Sequence, residues 1–213
     1  MKTECIINIV FDENSWIEDY ISDFILKLKD LNFRVHECNL YADMLEGYAA
    51  FFLGCTKIAN VSDLNKNKFN LVVHESDLPA GKGFAPLTWQ ILEGKSEIPV
   101  CLIDAAEKMD SGDIYLKDFL RFEGHELCAD IRKAQAEISF KLCLQFLTEN
   151  PSPFAQAGEE SFYVRRTARD SELSLTATLN DLFPLLRVAD NKRYPAYFVK
   201  NGIKYKVLIE QDG

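Results

Sequence analysis

His74 closes a short apolar run and is followed by Glu75, Ser76, Asp77, Leu78 and Pro79, then by Gly81-Lys82-Gly83 and Pro86-Leu87-Thr88-Trp89. Further along, Met109-Asp110-Ser111-Gly112-Asp113-Ile114 puts a carboxylate in a glycine-containing loop. An imidazole at the end of an apolar run and a carboxylate that folds back near it are a common minimum for moving a proton during group transfer. Glu75 and Asp77 read as solvated loop charges, and His36 and His125 as structural or surface residues.

These side chains need a scaffold, and the chain has the material for one. Its 213 residues are 47% hydrophobic and 27% charged, which implies a packed core and argues against general disorder. The formal net charge of −9 argues against a nucleic-acid binder, which needs a basic surface to displace counterions. The six cysteines, Cys5, Cys38, Cys55, Cys101, Cys128 and Cys143, include no CxxC pair. They read as small buried thiols of a reducing compartment, and no metal is expected. With no signal-peptide pattern and no run of eighteen apolar residues, a cytoplasmic protein without a membrane partner is expected.

Short apolar runs predict strands over 5–11, 33–38, 49–53, 69–73 and 98–103, with another beginning near 113–116. Ser15-x-x-Glu18 has the form of a capping box that starts a helix. Ile17, Ile21, Phe24, Ile25 and Leu28 then recur at helical spacing and supply its buried face. A short helix is expected over 88–92, with Gly94 as its stop, and a long one from about 124 to 149. Strands alternating with helices predict an α/β, Rossmann-like, largely parallel sheet with flanking helices. Ligands of such sheets bind beyond the carboxyl ends of the strands, where Gly54, His74 and Asp104 are expected. Asn150-Pro151-Ser152-Pro153 ends the long helix and divides the chain into 1–150 and 151–213. The second part reads as a small α+β appendage. It has a helix near 178–188 and a β-hairpin of 196–199 and 204–209 around Asn201-Gly202.

The sequence resembles a family at these same residues. His-x-Ser-x-Leu-Pro at 74–79, with Gly83, Pro86 and Trp89, is similar to the signature of the folate-dependent formyltransferases. Asp110-Ser111-Gly112-Asp113-Ile114 is similar to that family's Asp-Thr-Gly-Asp-Ile loop, and the likeness spans roughly 1–200. The resemblance implies transfer of a formyl group from N10-formyltetrahydrofolate to a primary amine, with His74 and Asp110 as the catalytic pair. Leu53-Gly54-Cys55 and Asp104 are the implied folate-side positions. Lys82 stands where the family usually has an arginine, and either approaches an anionic ligand or faces solvent. One position departs from the family: two residues before His74, where it has an asparagine, this chain has Val72. Asn70 lies about 13 Å from His74 along the strand and cannot replace it.

Past Pro153, the pattern Arg165-Arg166-Thr167, Asp170-Ser171, Leu186-Arg187, Asp190 and Tyr194-Pro195-Ala196 is similar to the sugar-nucleotide N-formyltransferases. Val-Val-His-Glu-Ser-Asp-Leu-Pro most resembles their pseudaminic-acid-pathway type. Little more than sixty residues follow Pro153, fewer than the C-terminal β-barrel domain of the methionyl-tRNA enzymes suggests. The implied acceptor is a nucleotide-linked 4-amino-dideoxy sugar. Arg165, Arg166 and Arg187 either grip its diphosphate or brace the C-terminal segment. The alternatives are a glycinamide-ribonucleotide-type enzyme and a folate- or sugar-nucleotide-binding protein that has lost catalysis with Val72. The apolar hairpin is a candidate homodimer surface.

Overall fold

The computed structural model describes residues 5–212. Six strands form one sheet: β1 (Ile6–Val10), β2 (Arg34–Cys38), β3 (Gly47–Phe52), β4 (Asn67–His74), β6 (Glu97–Asp104) and β7 (Ile114–Arg121). Their order is β2-β1-β3-β4-β6-β7. The first four run parallel, whereas β4–β6 and β6–β7 pair antiparallel. The connections carry α1 (Ile21–Asp30), the single turn α2 (Val61–Leu64), the two-residue β5 (Lys82–Gly83) and α3 (Pro86–Leu92). After β7 come α4 (Cys128–Glu149), β8 (Phe162–Tyr163), α5 (Leu179–Arg187) and the hairpin β9 (Ala196–Lys200) and β10 (Ile203–Val207).

Strand alternation sorts the side chains onto two faces. On one face Ile7, Ile9, Phe51, Leu71, Val100 and Leu102 pack against α1 and α4. Phe24 of α1 stacks on Phe140 of α4 at 4.6 Å between ring centres. Phe146 meets the rings of Phe69 and Tyr115 edge-on at 5.1 and 5.0 Å. The expected stripe of Ile17, Ile21, Phe24, Ile25 and Leu28 is buried here in full. On the other face Val10, Ala50 and Phe52 gather beside Val72, which also packs against Leu78, Cys101, Ile103 and Ile114. His74 follows Val72 by two positions and shares its face.

Three expectations are corrected. First, β6 is not parallel to β4. The link from His74 to Glu97 stays at the carboxyl end of β4, where the Glu75 carbonyl accepts from Gln90 of α3, and β6 sets out from that end. Asp104 therefore lies opposite Leu71, while His74 lies opposite Cys101. Second, Ser15 and Glu18 make no capping box for α1. The Ser15 hydroxyl donates to the Gly54 carbonyl and Glu18 accepts from the Asn14 amide, so a 3₁₀ turn at Trp16–Asp19 precedes the helix. Third, α4 starts at Cys128 rather than near Gly124, with Asp130 accepting the Leu127 amide at its entrance.

Beyond Asn150, which ends α4 in the left-handed conformation, the chain turns back over the sheet. Phe154 and Ile114 exchange two backbone hydrogen bonds, and β8 pairs in parallel with β5. Leu173, Leu186, Ala189 and Ala196 then form a small second core beneath the hairpin. Asn201 and Gly202 both take positive φ, 52° and 78°, as a two-residue type I′ turn requires.

Candidate functional site

His74 is the last residue of β4 and is 5% exposed. Its Nε2 lies 2.9 Å from the Gly81 carbonyl oxygen, and its Nδ1 lies 3.5 Å from Asp110 Oδ1. A carbonyl only accepts, so Nε2 carries a proton. Asp110 Oδ1 faces the other ring nitrogen, Nδ1, so the carboxylate is placed to orient the imidazole. The other carboxylate oxygen of Asp110 accepts the Gly83 amide at 2.8 Å. Gly83 has φ +104°, and a Cβ there would overlap the Tyr163 carbonyl, so glycine is needed to bring that amide to Asp110.

Asp110 reaches His74 although β6 runs the opposite way. The chain leaves Asp104, donates from the Ala105 amide to the Asn70 carbonyl, and loops back toward the end of β4. Gly112 lies so close to Asp104 that a Cβ would collide with its main chain. The loop is closed by the Asp104 amide donating to the Asp113 carbonyl at 2.9 Å. Asp110 itself takes φ +51°.

The chain past α4 completes the site. The Gly81 amide donates to Ser161 Oγ, and the Lys82 amide to the Ser161 carbonyl. The Gln156 amide donates to the carbonyls of both Asp110 and Gly112, each at 2.8 Å. Lys82 is 2% exposed and its ammonium meets Glu160 at 2.5 Å, so the solvent-facing alternative is excluded. Lys108 of the Asp110 loop approaches the same Glu160 oxygen at 3.6 Å. Lys82, and then Lys108, hold the Glu160 carboxyl below its usual range.

Glu75 is buried, contrary to the solvated reading. Its carboxylate accepts from Gln135 Nε2 at 2.6 Å and its carbonyl from Gln90, which tie the end of β4 to α4 and α3. Asp77 is exposed and pairs with Lys117. Val72 offers only methyl groups to the site face, and the Asn70 amide is spent on the Leu64 carbonyl at 2.7 Å.

The remaining candidates are dispersed. Leu53 is core, and the Gly54 carbonyl accepts from Ser15. Cys55 donates to the Val10 carbonyl, and burial pushes its thiol up to about 12. Asp104 turns to the opposite face from His74 and accepts from the Tyr115 hydroxyl, and burial raises its carboxyl. Arg165 is exposed, with its guanidinium 4.4 Å from the centre of the Phe84 ring. Arg166 donates to the Asp170 carbonyl, and burial lowers it. Arg187 is spent on Glu126, at 2.7 Å to the carboxylate and 3.0 Å to the carbonyl. His125 is exposed, and His36 is half-buried on β2 with its Nε2 2.9 Å from the Asp43 carbonyl oxygen. A cleft of about 870 Å³ opens on the same edge as His74, beyond β1 and β2, lined by Asp12, Glu13, His36, Glu37, Asp43 and Lys57 among others. It lies several strands from the His74–Asp110 pair.

All six cysteines are free; Cys38, Cys101 and Cys143 are buried and Cys5 is exposed. Among the described residues no group of His, Cys, Asp or Glu is placed to hold a metal ion, and no helix is long and apolar enough to cross a membrane. Gln156, Glu160 and Ser161 escaped the sequence reading. They stand in a stretch without regular spacing, and only their contacts mark them.

The chain matches no family profile. It is 23% identical over 167 residues to the methionyl-tRNA formyltransferase of Malacoplasma penetrans, covering 76% of this chain and 50% of that protein. It is 31% identical over 101 residues to that of Rickettsia typhi, covering 46% and 33%. The chain thus spans half or less of the length of these curated relatives. Among solved structures, a methionyl-tRNA formyltransferase from Clostridium thermocellum superposes with a TM-score of 0.84 at 21% identity, covering 96% of this chain and 92% of that one. A sugar N-formyltransferase from a Shewanella species gives 0.72 at 15% identity, covering 98% of both chains. HypX from Aquifex aeolicus in complex with tetrahydrofolic acid gives 0.77 at 12% identity, over 97% of this chain and 38% of that one. The fold of this chain is the formyltransferase fold.

Proposed function

We propose that the chain transfers a formyl group from N10-formyltetrahydrofolate to the amine of a nucleotide-linked 4-amino-dideoxy sugar, of the kind used on the pseudaminic-acid route. The observation that carries this reading is the buried His74–Asp110 pair, aimed by the Gly83 amide, on a fold shared with formyltransferases. The amine nitrogen attacks the formyl carbon, the bond from that carbon to folate N10 breaks, N10 gains a proton and the amine loses one. His74 handles the proton, exchanging the Gly81 carbonyl for the reacting group as it does so, and Asp110 stabilises the charged ring. With Val72 beside it, the developing oxyanion is stabilised by the protonated His74 itself rather than by a side-chain amide at position 72.

The formyl donor supplies the activated carbon. Two buried atoms near the pair, Ser76 Oγ and Gln156 Oε1, lack protein partners and suit a ligand rich in N–H groups and ring nitrogens. In this reading Arg165, exposed beside Phe84, is the guanidinium best left to meet the sugar diphosphate, and Lys82 acts through its pair with Glu160. The protein would work in the cytoplasm on a small molecule, as a monomer or a homodimer.

Sugar N-formyltransferases among the structural neighbours support the sugar acceptor, and the charge of −9 disfavours a polyanion. A second reading, methionyl-tRNA as acceptor, is favoured by the Clostridium thermocellum neighbour. The test is mass spectrometry of products after N10-formyltetrahydrofolate is offered with nucleotide-linked amino sugars, glycinamide ribonucleotide and initiator methionyl-tRNA in parallel. A formylated sugar, abolished by His74→Ala and by Asp110→Ala, is the expected result. Formylation of the tRNA alone would establish the second reading. Tight binding with no product would mean that catalysis was lost with Val72.

A further inference from the structure

Asp110 is held where it is by one side chain from a distant segment. A non-glycine residue at φ +51° is in the left-handed region, a conformation that L side chains disfavour and that persists only where its surroundings enforce it. The enforcement is visible. Both hydrogens of the Gln156 amide are used, one on the Asp110 carbonyl and one on the Gly112 carbonyl, each at 2.8 Å. The reverse orientation would turn Oε1 toward two carbonyl oxygens, so these partners fix the amide. Gln156 is itself anchored, because Phe154, two residues earlier, exchanges two backbone hydrogen bonds with Ile114.

We infer that Gln156 is a positioning residue for the His74–Asp110 pair: its amide grips the Asp110 loop at two points and so sets the aim of the carboxylate on the imidazole. The carboxylate has two directed contacts, the Gly83 amide at 2.8 Å and His74 Nδ1 at 3.5 Å. The second is long for a hydrogen bond and is the one that a small rotation of the loop would lose. Glu160, four residues on, ties the same loop through Lys108, but at 3.6 Å and between exposed groups. Salt weakens such an exposed pair, whereas the clamp from the half-buried, uncharged Gln156 amide is indifferent to it.

The catalytic consequence rests on the formyl-transfer reading; the geometric one does not, and the experiment separates them. The chain has three histidines, so the ring ¹⁵N signals of His74 can be assigned and followed at one fixed pH. Gln156→Leu is expected to move the His74 Nδ1 signal in the same sense as Asp110→Asn. Adding Gln156→Leu to Asp110→Asn should produce no further shift, while His36 and His125 stay where they are. In turnover, Gln156→Leu should lower kcat by about 10- to 100-fold with little change in the acceptor KM, as expected when a reacting group loses its aim. Gln156→Asn, shorter by one methylene, should give a partial effect in both readouts. An unmoved His74 signal in a folded Gln156→Leu protein would overturn the inference. So would global unfolding of both variants, which would make Gln156 a general stability element. If the wild-type protein transfers no formyl group, the proposed function fails while the NMR comparison still decides the role of Gln156.

Discussion

Replacing Gly112 with alanine isolates the link between loop position and proton handling. A Cβ at that position would lie 2.7 Å from the Asp104 carbonyl carbon and 2.9 Å from its Cβ, and closer still to the carbonyl oxygen. Carbon atoms rest at about 3.5–4.0 Å, so the loop must retreat by roughly 1 Å. Neither partner yields easily, since the obstacle is main chain and the Asp104 amide is bonded to the Asp113 carbonyl. Overpacking of this kind costs about 1–3 kcal/mol. For a chain of this size, about 2–4 °C per kcal/mol, the melting temperature should fall by about 2–12 °C. A displacement of about 1 Å at a reacting group costs on the order of 100-fold in rate. The assay is formyl transfer followed by mass spectrometry, alongside a thermal melt. Gly94→Ala is the control: nothing lies within 4 Å of its Cβ, so a left-handed alanine (φ +83°) should cost about 1 kcal/mol and leave turnover intact. A Gly112→Ala protein with a lowered melting temperature and undiminished turnover would refute the coupling between that loop and the chemistry. Wild-type values for both would refute the steric reasoning as well.

Two further outcomes are expected. Arg187→Ala should destabilise the fold by about 3 kcal/mol, because it leaves the mostly buried Glu126 carboxylate without its cation, yet the KM for a nucleotide sugar should hold within a few-fold; equilibrium denaturation and steady-state kinetics check the two halves. Stability should fall as the solution is made alkaline. Burial raises Cys38 from its ordinary 9.0 to about 11, Cys55 to about 12 and Tyr115 from 10.0 to about 12. These groups stay protonated in the fold where the unfolded chain would release the proton, so their contribution is complete below about pH 9 and is lost as the pH rises toward 12. Melts from pH 8 to pH 12 should show that decline, and a Cys38→Ala, Cys55→Ala double variant should flatten it.

Most strands of the sheet were legible because they are short, mainly apolar runs bounded by polar or turn residues, and the hairpin because Asn201-Gly202 favours a tight two-residue turn. The direction of β6 was not, because an apolar run reads the same whichever way its neighbour points. His74 and Asp110 stood out as candidates because their types and local motifs are distinctive. Their contact depends on the left-handed turn at Asp110 and on the Gly83 amide, neither of which leaves a periodic mark. Glu75 looked solvated because a charge beside a loop usually is; only the fold brings Gln135, sixty positions away, to receive it. Lys82 and Arg187 were similarly ambiguous until Glu160 and Glu126 proved to be their partners.

The stretch from Phe154 to Tyr163 also bears on the order of assembly. Its ties reach back about eighty positions, from Ser161 to Gly81, and about forty-six, from Gln156 to Asp110. Loops of that span close late, after local helices and neighbouring strands have formed. As the chain emerges during synthesis, the whole sheet and both His74 and Asp110 are present before this stretch exists. The protein therefore acquires its histidine and its aspartate long before it acquires the site, and a nascent or clipped chain ending near Asn150 would keep the residues without their alignment.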